Sequence, residues 1–332
     1  MKPIKILLSL SLIALGTIAL GQEKTTTPQK LPGKGLKQHD FLYTGEWEYR
    51  KSVQTIYVIR DGKAKWTYDI PFKNEQGEME ELGDATMREN GNIVFCRKTG
   101  ASEISPDKKI IWNVEASKGT EIHAVQAIGK DRVMYVINGG SKATGKIVDV
   151  KSGKTVKEFT LPTGKPKAHL QFRRVRVLES GNVLAAHLDS NVVAEYDADG
   201  KTVWSFKCRS PWSAVRLKNG NTLISSFHNT IYEVDKNSKV VWELNQSDIP
   251  EVKMFIAQGA ERLPNGNTVI ANWCGADVKN SKDWPGTVQL IEVTPDKKLA
   301  WALSEWNEPD LGPASSFQLL NKKMLNKIPA YK

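Results

Sequence analysis

Residues 214–244 read AVRLKNGNTLISSFHNTIYEVDKNSKVVWEL and contain short apolar runs separated by turn residues. The Asn219-Gly220 dipeptide lies between alternating apolar runs, which is a strong hairpin signal because both central turn residues need positive φ. No helical periodicity competes with this alternation. The stretch therefore predicts four successive β-strands, at 214–217, 222–227, 230–235 and 240–244.

The same unit recurs along the chain. Its turn motif also occurs at 89–94, 179–184 and 264–269, and a second turn is followed by a tryptophan at five positions: Trp66, Trp112, Trp204, Trp242 and Trp301. Trp66 and Trp112 are 46 residues apart, whereas Trp112 and Trp204 are 92 apart, so a unit without a tryptophan is expected midway, at 152–157. Six units of this length are typical of four-stranded propeller blades.

The two ends of the repeat predict how the ring closes. The first unit, which begins at Phe41, lacks an innermost strand, and 315–320 forms an extra apolar strand after the last unit. Pairing the two would remove the open edge of the ring. We predict an all-β, six-bladed β-propeller of four-stranded blades, closed by a C-terminal strand that completes the N-terminal blade. A seven-bladed ring and an open β-solenoid are the alternatives.

Composition and the N-terminus define the class of protein. The chain has 332 residues, 40% hydrophobic and 25% charged, with a formal net charge of +10, as expected of a globular protein. Residues 1–21 have the basic start, apolar run and small-residue cleavage site of a signal peptide; an uncleaved anchor is the alternative. We interpret 22–40 as a flexible linker, 41–322 as the propeller and 323–332 as a C-terminal tail. We expect an exported monomer, periplasmic or extracellular, without stable membrane insertion after signal cleavage and without a nucleic-acid partner.

The repeat resembles the quinoprotein-like (PQQ-repeat-like) β-propeller superfamily, through the motifs Asn-Gly-Asn-Thr-Leu at 219–223, Glu-Val-Asp at 233–235 and Lys-Val-Val-Trp-Glu at 239–243. Within it, the six units and the stretch QGAERLPNGN at 258–267 look most like bacterial arylsulfotransferase-type propellers. The resemblance covers most of residues 41–320 and implies the fold. Quinone-dependent members typically have eight blades, calcium and vicinal cysteines, none of which matches this chain, so no cofactor is expected.

The resemblance also defines one slot per blade, eight residues before the turn glycine, where arylsulfotransferases carry histidines that face the channel. Four slots of this chain hold Gly83, Arg173, Trp212 and Gln258, and the slot of the degenerate third unit holds His123 if Asp131-Arg132 replaces the Gly-Asn of its turn. One histidine in five slots departs from the family pattern. We therefore interpret His123 as the candidate catalytic residue of an enzyme and Arg173, Trp212 and Gln258 as a candidate binding ring; a water-filled channel without a ligand is the alternative.

Two further groups are candidate binding residues. Arg174 and Arg176 share one strand face and could clamp a carboxylate, sulfate or phosphate, or could instead pair with acids such as Asp84 or Glu261. Trp273 and Trp284 flank an insertion at 274–285 and could stack on a sugar or aromatic ring, or Trp284 could pack against a neighbouring blade.

Metal binding has no support in the sequence. His169, His187 and His228 share no slot, and no H-x-H or H-x-x-x-H spacing occurs. Cys96 and Cys274 are interpreted as buried apolar thiols.

The sequence thus favours an exported propeller that binds a ligand or protein partner across its axial face. The ligand would be anionic or carbohydrate-like, or the partner an envelope protein. The alternative is an enzyme of the arylsulfotransferase-like or polysaccharide-acting type that uses His123 and Arg173. A third possibility is a scaffold that uses its rim.

Overall fold

The structure, a computed structural model, describes residues 30–331. Within these residues, 24 strands form six four-stranded antiparallel sheets, the blades of a propeller. The innermost strands of neighbouring blades contact one another around a central channel. The predicted fold class is confirmed.

Each blade contributes four strands in meander order. Blades one to three comprise β1 (Phe41–Gly45), β2 (Val53–Arg60), β3 (Lys63–Pro71), β4 (Leu82–Met87), β5 (Ile93–Arg97), β6 (Gly100–Ile104), β7 (Ile110–Glu115), β8 (Glu121–Ile128), β9 (Arg132–Asn138), β10 (Lys142–Asp149) and β11 (Thr155–Pro162). Blades four to six comprise β12 (Phe172–Val177), β13 (Val183–His187), β14 (Val192–Tyr196), β15 (Thr202–Lys207), β16 (Pro211–Arg216), β17 (Thr222–Ser226), β18 (Ile231–Val234), β19 (Val240–Leu244), β20 (Ile256–Arg262), β21 (Thr268–Trp273), β22 (Leu290–Val293) and β23 (Leu299–Leu303).

The ring closes as the sequence predicts. Strand β24 (Ala314–Leu319) pairs antiparallel with β1, with Phe41 opposite Leu319 and Tyr43 opposite Phe317. Blade one therefore has the order β24-β1-β2-β3, in which the C-terminal strand is innermost. Because the first and last segments of the propeller share one sheet, separating them would expose the backbone edge of β1.

The repeated tryptophans join neighbouring blades. The indole N–H of Trp66 donates to the carbonyl of Pro106 at 2.8 Å, and that of Trp242 donates to the carbonyl of Pro295 at 2.9 Å. In both cases the carbonyl lies in the turn between the third and fourth strands of the next blade. These contacts explain why the repeat has a tryptophan at this position. The indole packs one blade against the next.

Both ends of the described chain pack against the propeller. Residues 30–40, part of the segment interpreted as a linker, include the 3-10 helix Gly35–Lys37, and the carbonyl of Gly35 accepts a 3.1 Å hydrogen bond from Trp301 in blade six. At the other end, helix α1 (Lys322–Leu325) leads to Tyr331, which is fully buried and donates to the carbonyl of Gly91. The residues interpreted as a signal peptide lie outside the described residues.

The remaining regular elements are short 3-10 helices in the connections. They are Ala168–Leu170, Gln246–Asp248, Ser281–Gly286 and Pro329–Tyr331. Across residues 30–331, none of the helices has the length and apolar character needed to cross a membrane.

Every innermost strand has a β-bulge near the start of the strand. The ladder registers skip one or two residues in each of the six strands, and the skipped residues are Gly83, Asp84, His123, Arg173, Arg174, Trp212, Gln258 and Ser315. Five of them are the slots identified from the sequence. A bulge re-aims the side chain it carries, so the six strands redirect their side chains at the same level of the ring.

Candidate functional site

The bulge level separates two ends of the channel that differ in packing. We call the end that contains the loops leading into the innermost strands the upper end, and the end that contains the Asn-Gly turns the lower end. The upper end holds a group of buried and half-buried ionisable side chains, which we call the upper cluster: Glu46, Glu81, Glu121, His123, His169 and Arg173. The lower end is an open cavity.

Arg173 is the centre of the upper cluster. Its Nη1 donates to Glu81 Oε1 and to His123 Nδ1, both at 2.8 Å, and its Nη2 donates to His169 Nε2, also at 2.8 Å. The guanidinium carbon lies 5.0 Å from the centroid of the Trp212 ring, in cation–π geometry. Slot residues from blades three, four and five therefore contact one another, through Arg173.

Glu121 fixes the tautomers of both histidines. Its Oε2 lies 2.8 Å from His123 Nε2 and 3.0 Å from His169 Nδ1. Because a carboxylate can only accept, these two nitrogens carry the hydrogens, and the other nitrogen of each ring accepts from Arg173. Both rings are then neutral, and neither has a free nitrogen with which to attack a substrate.

Burial and charge shift the titration of this cluster. Burial, aided by the positive charge of Arg173, lowers the pKa of His123 to about 4. Burial acts to raise the pKa of Glu81, but the charge of Arg173, together with the effects of His123, His169 and the hydrogen bond with Glu46, outweighs burial and lowers the pKa to about 2. Burial, followed by the negative charge of Glu81, raises the pKa of Glu46 to about 8. The cluster thus keeps the imidazole of His123 neutral at neutral pH, with Glu46 as the acid that retains a proton.

Aromatic side chains pack at the upper end beside this cluster. Trp212 and Trp273 pack with Ile256 in one buried group, against which the half-buried Trp47 also lies. Neither indole N–H of these two buried tryptophans has a hydrogen-bond partner, and the fully buried Gln258 likewise has both amide atoms unpaired within residues 30–331. The candidate ring is therefore a packed layer rather than the wall of an open pocket.

The open space lies directly below this layer. A cavity of about 820 Å³ is lined by side chains of β12, β16, β20 and β24 and by the Asn-Gly turns of blades five and six. Its charged lining residues are Arg174, Arg176, Arg216, Lys218, Glu261 and Arg262. We call this space the lower cavity.

Asp84 holds the two lining arginines identified from the sequence. Arg176 makes a bidentate pair with it, at 2.6 and 2.9 Å, and Arg174 Nε lies 3.3 Å from Asp84 Oδ1. The sequence left open whether these arginines clamp an anion or pair with acids, and in the structure both pair with Asp84. Arg174 and Arg176 still line the cavity, so the acid positions them there.

Glu261 is the carboxylate of the cavity lining. Burial raises its pKa to about 7, against the opposing effects of the Leu319 N–H and the charge of Arg176. Near neutral pH it is therefore partly protonated, which reduces the negative charge in the cavity.

The two insertion tryptophans differ in their surroundings. Trp284 is fully buried, donates its indole N–H to the carbonyl of Val278 and lies 6.4 Å from the ring of Trp306. It has no exposed face on which a sugar could stack, and its ring packs edge-to-face against Tyr49 of blade one, with 4.8 Å between the ring centroids. Trp273 belongs to the aromatic layer at the upper end.

Four members of the upper cluster were not identified from the sequence: Glu46, Glu81, Glu121 and His169. A signal existed for two of them, since Glu81 and Glu121 each stand two residues before a slot, at Gly83 and His123. No comparable signal identifies Glu46 or His169, which reach the cluster from connecting segments. Among the histidines interpreted as structural, His169 joins the cluster, whereas His187 contacts Tyr196 at 2.8 Å.

The comparisons agree with the fold. Residues 141–278 match the family model described as outer membrane protein assembly factor BamB. Together with the six blades, this match supports the quinoprotein-like propeller superfamily that the sequence motifs resemble. No curated protein sequence matches the chain.

Solved structures of similar fold include a protein of unknown function from Bacteroides caccae. It is 24% identical, with a TM-score of 0.72, over 84% of this chain and 97% of that one. A virginiamycin B lyase from Staphylococcus aureus with quinupristin has a TM-score of 0.55 at 11% identity, over 84% of this chain and 90% of that one. A streptogramin B lyase has a TM-score of 0.55 at 9% identity, over 85% of this chain and 88% of that one. At these identities the likeness shows the fold alone.

Proposed function

We propose that this chain is an exported binding propeller that holds a small anionic molecule in its lower cavity. The observation that carries the proposal is the cavity itself, about 820 Å³ in volume and lined by arginines at the axis of a rigid ring. Cavities of this size are typical of small-molecule sites, in which a few placed polar groups define orientation and specificity.

Charge favours an anion as the occupant. Five of the lining residues are cationic and one is acidic. Arg174 and Arg176 share the single carboxylate of Asp84, while Arg216 and Arg262 pair with Glu195 and Glu233. Lys218 adds a cation at the Asn-Gly turn, and the raised pKa of Glu261 weakens the one opposing charge. The lining is therefore positive at neutral pH and would attract a carboxylate, sulfate or phosphate.

Packing favours entry from the lower face. The slot residues His123, Arg173, Trp212 and Gln258 are all at least nine-tenths buried and fill the channel above the cavity. A ligand would therefore approach past the Asn-Gly turns of blades five and six, which form part of the lining.

Export and an envelope location belong to the same proposal. The basic, apolar and small-residue pattern of 1–21 supports export. The family model that matches 141–278 is named for an outer membrane assembly factor, and proteins of that type are typically periplasmic. That match also makes a scaffold that contacts an envelope protein the second candidate function.

Thermal-shift and calorimetric titrations test the ligand proposal. Sulfate, phosphate, uronic-acid oligosaccharides and sulfated phenols would be compared with neutral counterparts of the organic ligands. We expect at least one anion to stabilise the protein and its neutral counterpart to leave it unchanged.

Variants locate the binding. Lys218→Gln and Arg176→Gln should each weaken binding of that anion at least fivefold, because they remove positive charge from the cavity. Arg97→Gln is the matched control, since Arg97 pairs with Glu80 and Glu115 away from the cavity lining. The ligand proposal would be refuted, and the scaffold favoured, if no anion stabilised the protein. It would also be refuted if Arg97→Gln weakened binding as much as the two cavity variants.

A further inference from the structure

The upper cluster contains a second feature that is independent of the lower cavity. One ligand atom from each of Glu81, His123 and His169 lies within 4.8 Å of the other two. Two imidazoles and a carboxylate are a donor set that binds Zn²⁺ and related transition-metal dications. The sequence did not reveal this group because its three members come from separate parts of the chain.

The hydrogen bonds orient the donors toward a common point. Since Glu121 accepts from His123 Nε2 and His169 Nδ1, the lone pairs of His123 Nδ1 and His169 Nε2 face the opposite way. Both lone pairs point to the guanidinium of Arg173, to which Glu81 Oε1 is also bonded. One cation, the guanidinium, thus already bonds all three residues, Glu81 and His123 through Nη1 and His169 through Nη2.

Glu121 has the position of an outer-shell carboxylate in a metal site. Metal-binding histidines usually donate their other ring N–H to a carboxylate, which fixes the tautomer and strengthens the ligand. Here a single oxygen of Glu121 does this for both rings, at 2.8 and 3.0 Å. This arrangement is in place before any metal binds.

The charge balance of the cluster leaves room for a dication. Two ionised carboxylates, of Glu81 and Glu121, lie around the single guanidinium of Arg173, and the Glu46 carboxyl beside them retains its proton. Entry is also open, because the side chain of His169 is 30% exposed and that of Glu121 is 15% exposed. A metal can therefore reach the donors from the upper face.

We infer that Glu81, His123 and His169 form a binding site for one Zn²⁺-class ion, with Glu121 as the carboxylate that orients both histidines. In the metal-free state Arg173 satisfies the three donor atoms. When the ion binds, it replaces the N–H donors of Arg173, and the guanidinium has to move away from the three donor atoms. Metal–nitrogen distances of about 2.0–2.1 Å require the donors to draw closer together than they are around the larger guanidinium.

The test is a titration of metal-free protein with Zn²⁺, and with Co²⁺ as a spectroscopic probe. We expect one ion per chain, a micromolar or tighter dissociation constant, and visible Co²⁺ absorption bands from nitrogen and oxygen ligands. His169→Ala should weaken binding at least tenfold, and its partly exposed position makes it the variant that most safely folds. His123→Ala should do the same where thermal unfolding shows that it is folded.

Matched histidine variants keep the test specific. His228→Ala and His39→Ala remove histidines outside the cluster and should leave the affinity within twofold of the wild type. The inference is overturned if the wild type binds neither ion below about 100 μM, or if His169→Ala binds as tightly as the wild type. Binding that appears only after Arg173→Met would also contradict it, because the arginine would then exclude the metal from the natural chain. None of these outcomes depends on anion binding in the lower cavity.

Discussion

The two ends of the channel use consecutive arginines in opposite ways. Arg173 points into the upper end, where Glu81, His123 and His169 take up its N–H donors. Arg174 borders the lower cavity, where Asp84 holds it beside Arg176 and the space in front stays open. Arg173 and Arg174 are the two residues that the β-bulge of β12 leaves unpaired, and Arg174 shares the cavity side of the strand with Arg176.

This difference shows that a slot in the repeat does not by itself make a binding site. Arg173 and Trp212 occupy aligned slots, but side chains from connecting segments fill the space before them. The residues that line the cavity stand one position further along, at Arg174, Ser213 and Gly259. Whether a ring position binds a ligand therefore depends on the connections above it as much as on its own residue type.

Replacing Arg173 and Arg176 one at a time should give the largest difference in stability between the two ends of the channel. Arg173→Met leaves the buried Glu81 without its guanidinium partner, so we expect the free energy of unfolding to fall by about 3–5 kcal/mol. Arg176→Met leaves Asp84 paired with Arg174, so the loss should be smaller, about 1–3 kcal/mol. Urea denaturation at pH 7 with a chelator present measures both. Equal losses would show that the two ends do not differ in this way.

The fold could be predicted from the sequence almost completely, because it depends on local and repeated signals. Asn-Gly turns, alternating strands and the regular tryptophans are each encoded within a few residues, and the extra strand at 315–320 indicated the closure. The candidate site was only partly predictable. His123, Arg173 and Trp212 could be aligned through the repeat, whereas Glu46 and His169 lie in irregular connections that no repeat position defines. The bulges, which decide where each slot side chain points, have no separate mark in the sequence.

Acidification should destabilise the upper end through His123. Its pKa is about 4 in the folded protein, against an ordinary value of 6.5. Between these values the unfolded chain binds a proton that the folded chain does not, so the stability falls as the pH decreases. Relative to His123→Gln, the wild type should lose up to about 3 kcal/mol between pH 7 and pH 4.

Chemical denaturation of both proteins at pH 7, 5.5 and 4, with a chelator present, measures this difference. The variant is the reference, so the titration of all groups that do not contact His123 is shared by the two proteins. A difference that does not change with pH would show that His123 titrates normally and that its burial and its contact with Arg173 have no energetic consequence.

The affinity of the lower cavity for an anion should fall as the pH rises, whereas the stability contributed by His123 falls as the pH decreases. The expected change in free energy is also smaller. Burial raises the pKa of Glu261 to about 7, so this carboxyl loses its proton as the pH rises from 6 to 8. Deprotonation adds a negative charge to the cavity lining and repels an anion. For sulfate, whose own charge is constant over this range, the affinity should fall about tenfold, which is about 1.4 kcal/mol.

In Glu261→Gln the affinity should stay nearly constant, because that position no longer titrates. Calorimetric titrations of both proteins at pH 6, 7 and 8 and constant ionic strength test this. The same decrease in the variant would assign the pH dependence to another group, whereas its loss would place the bound anion beside Glu261, at the opposite end of the channel from His123.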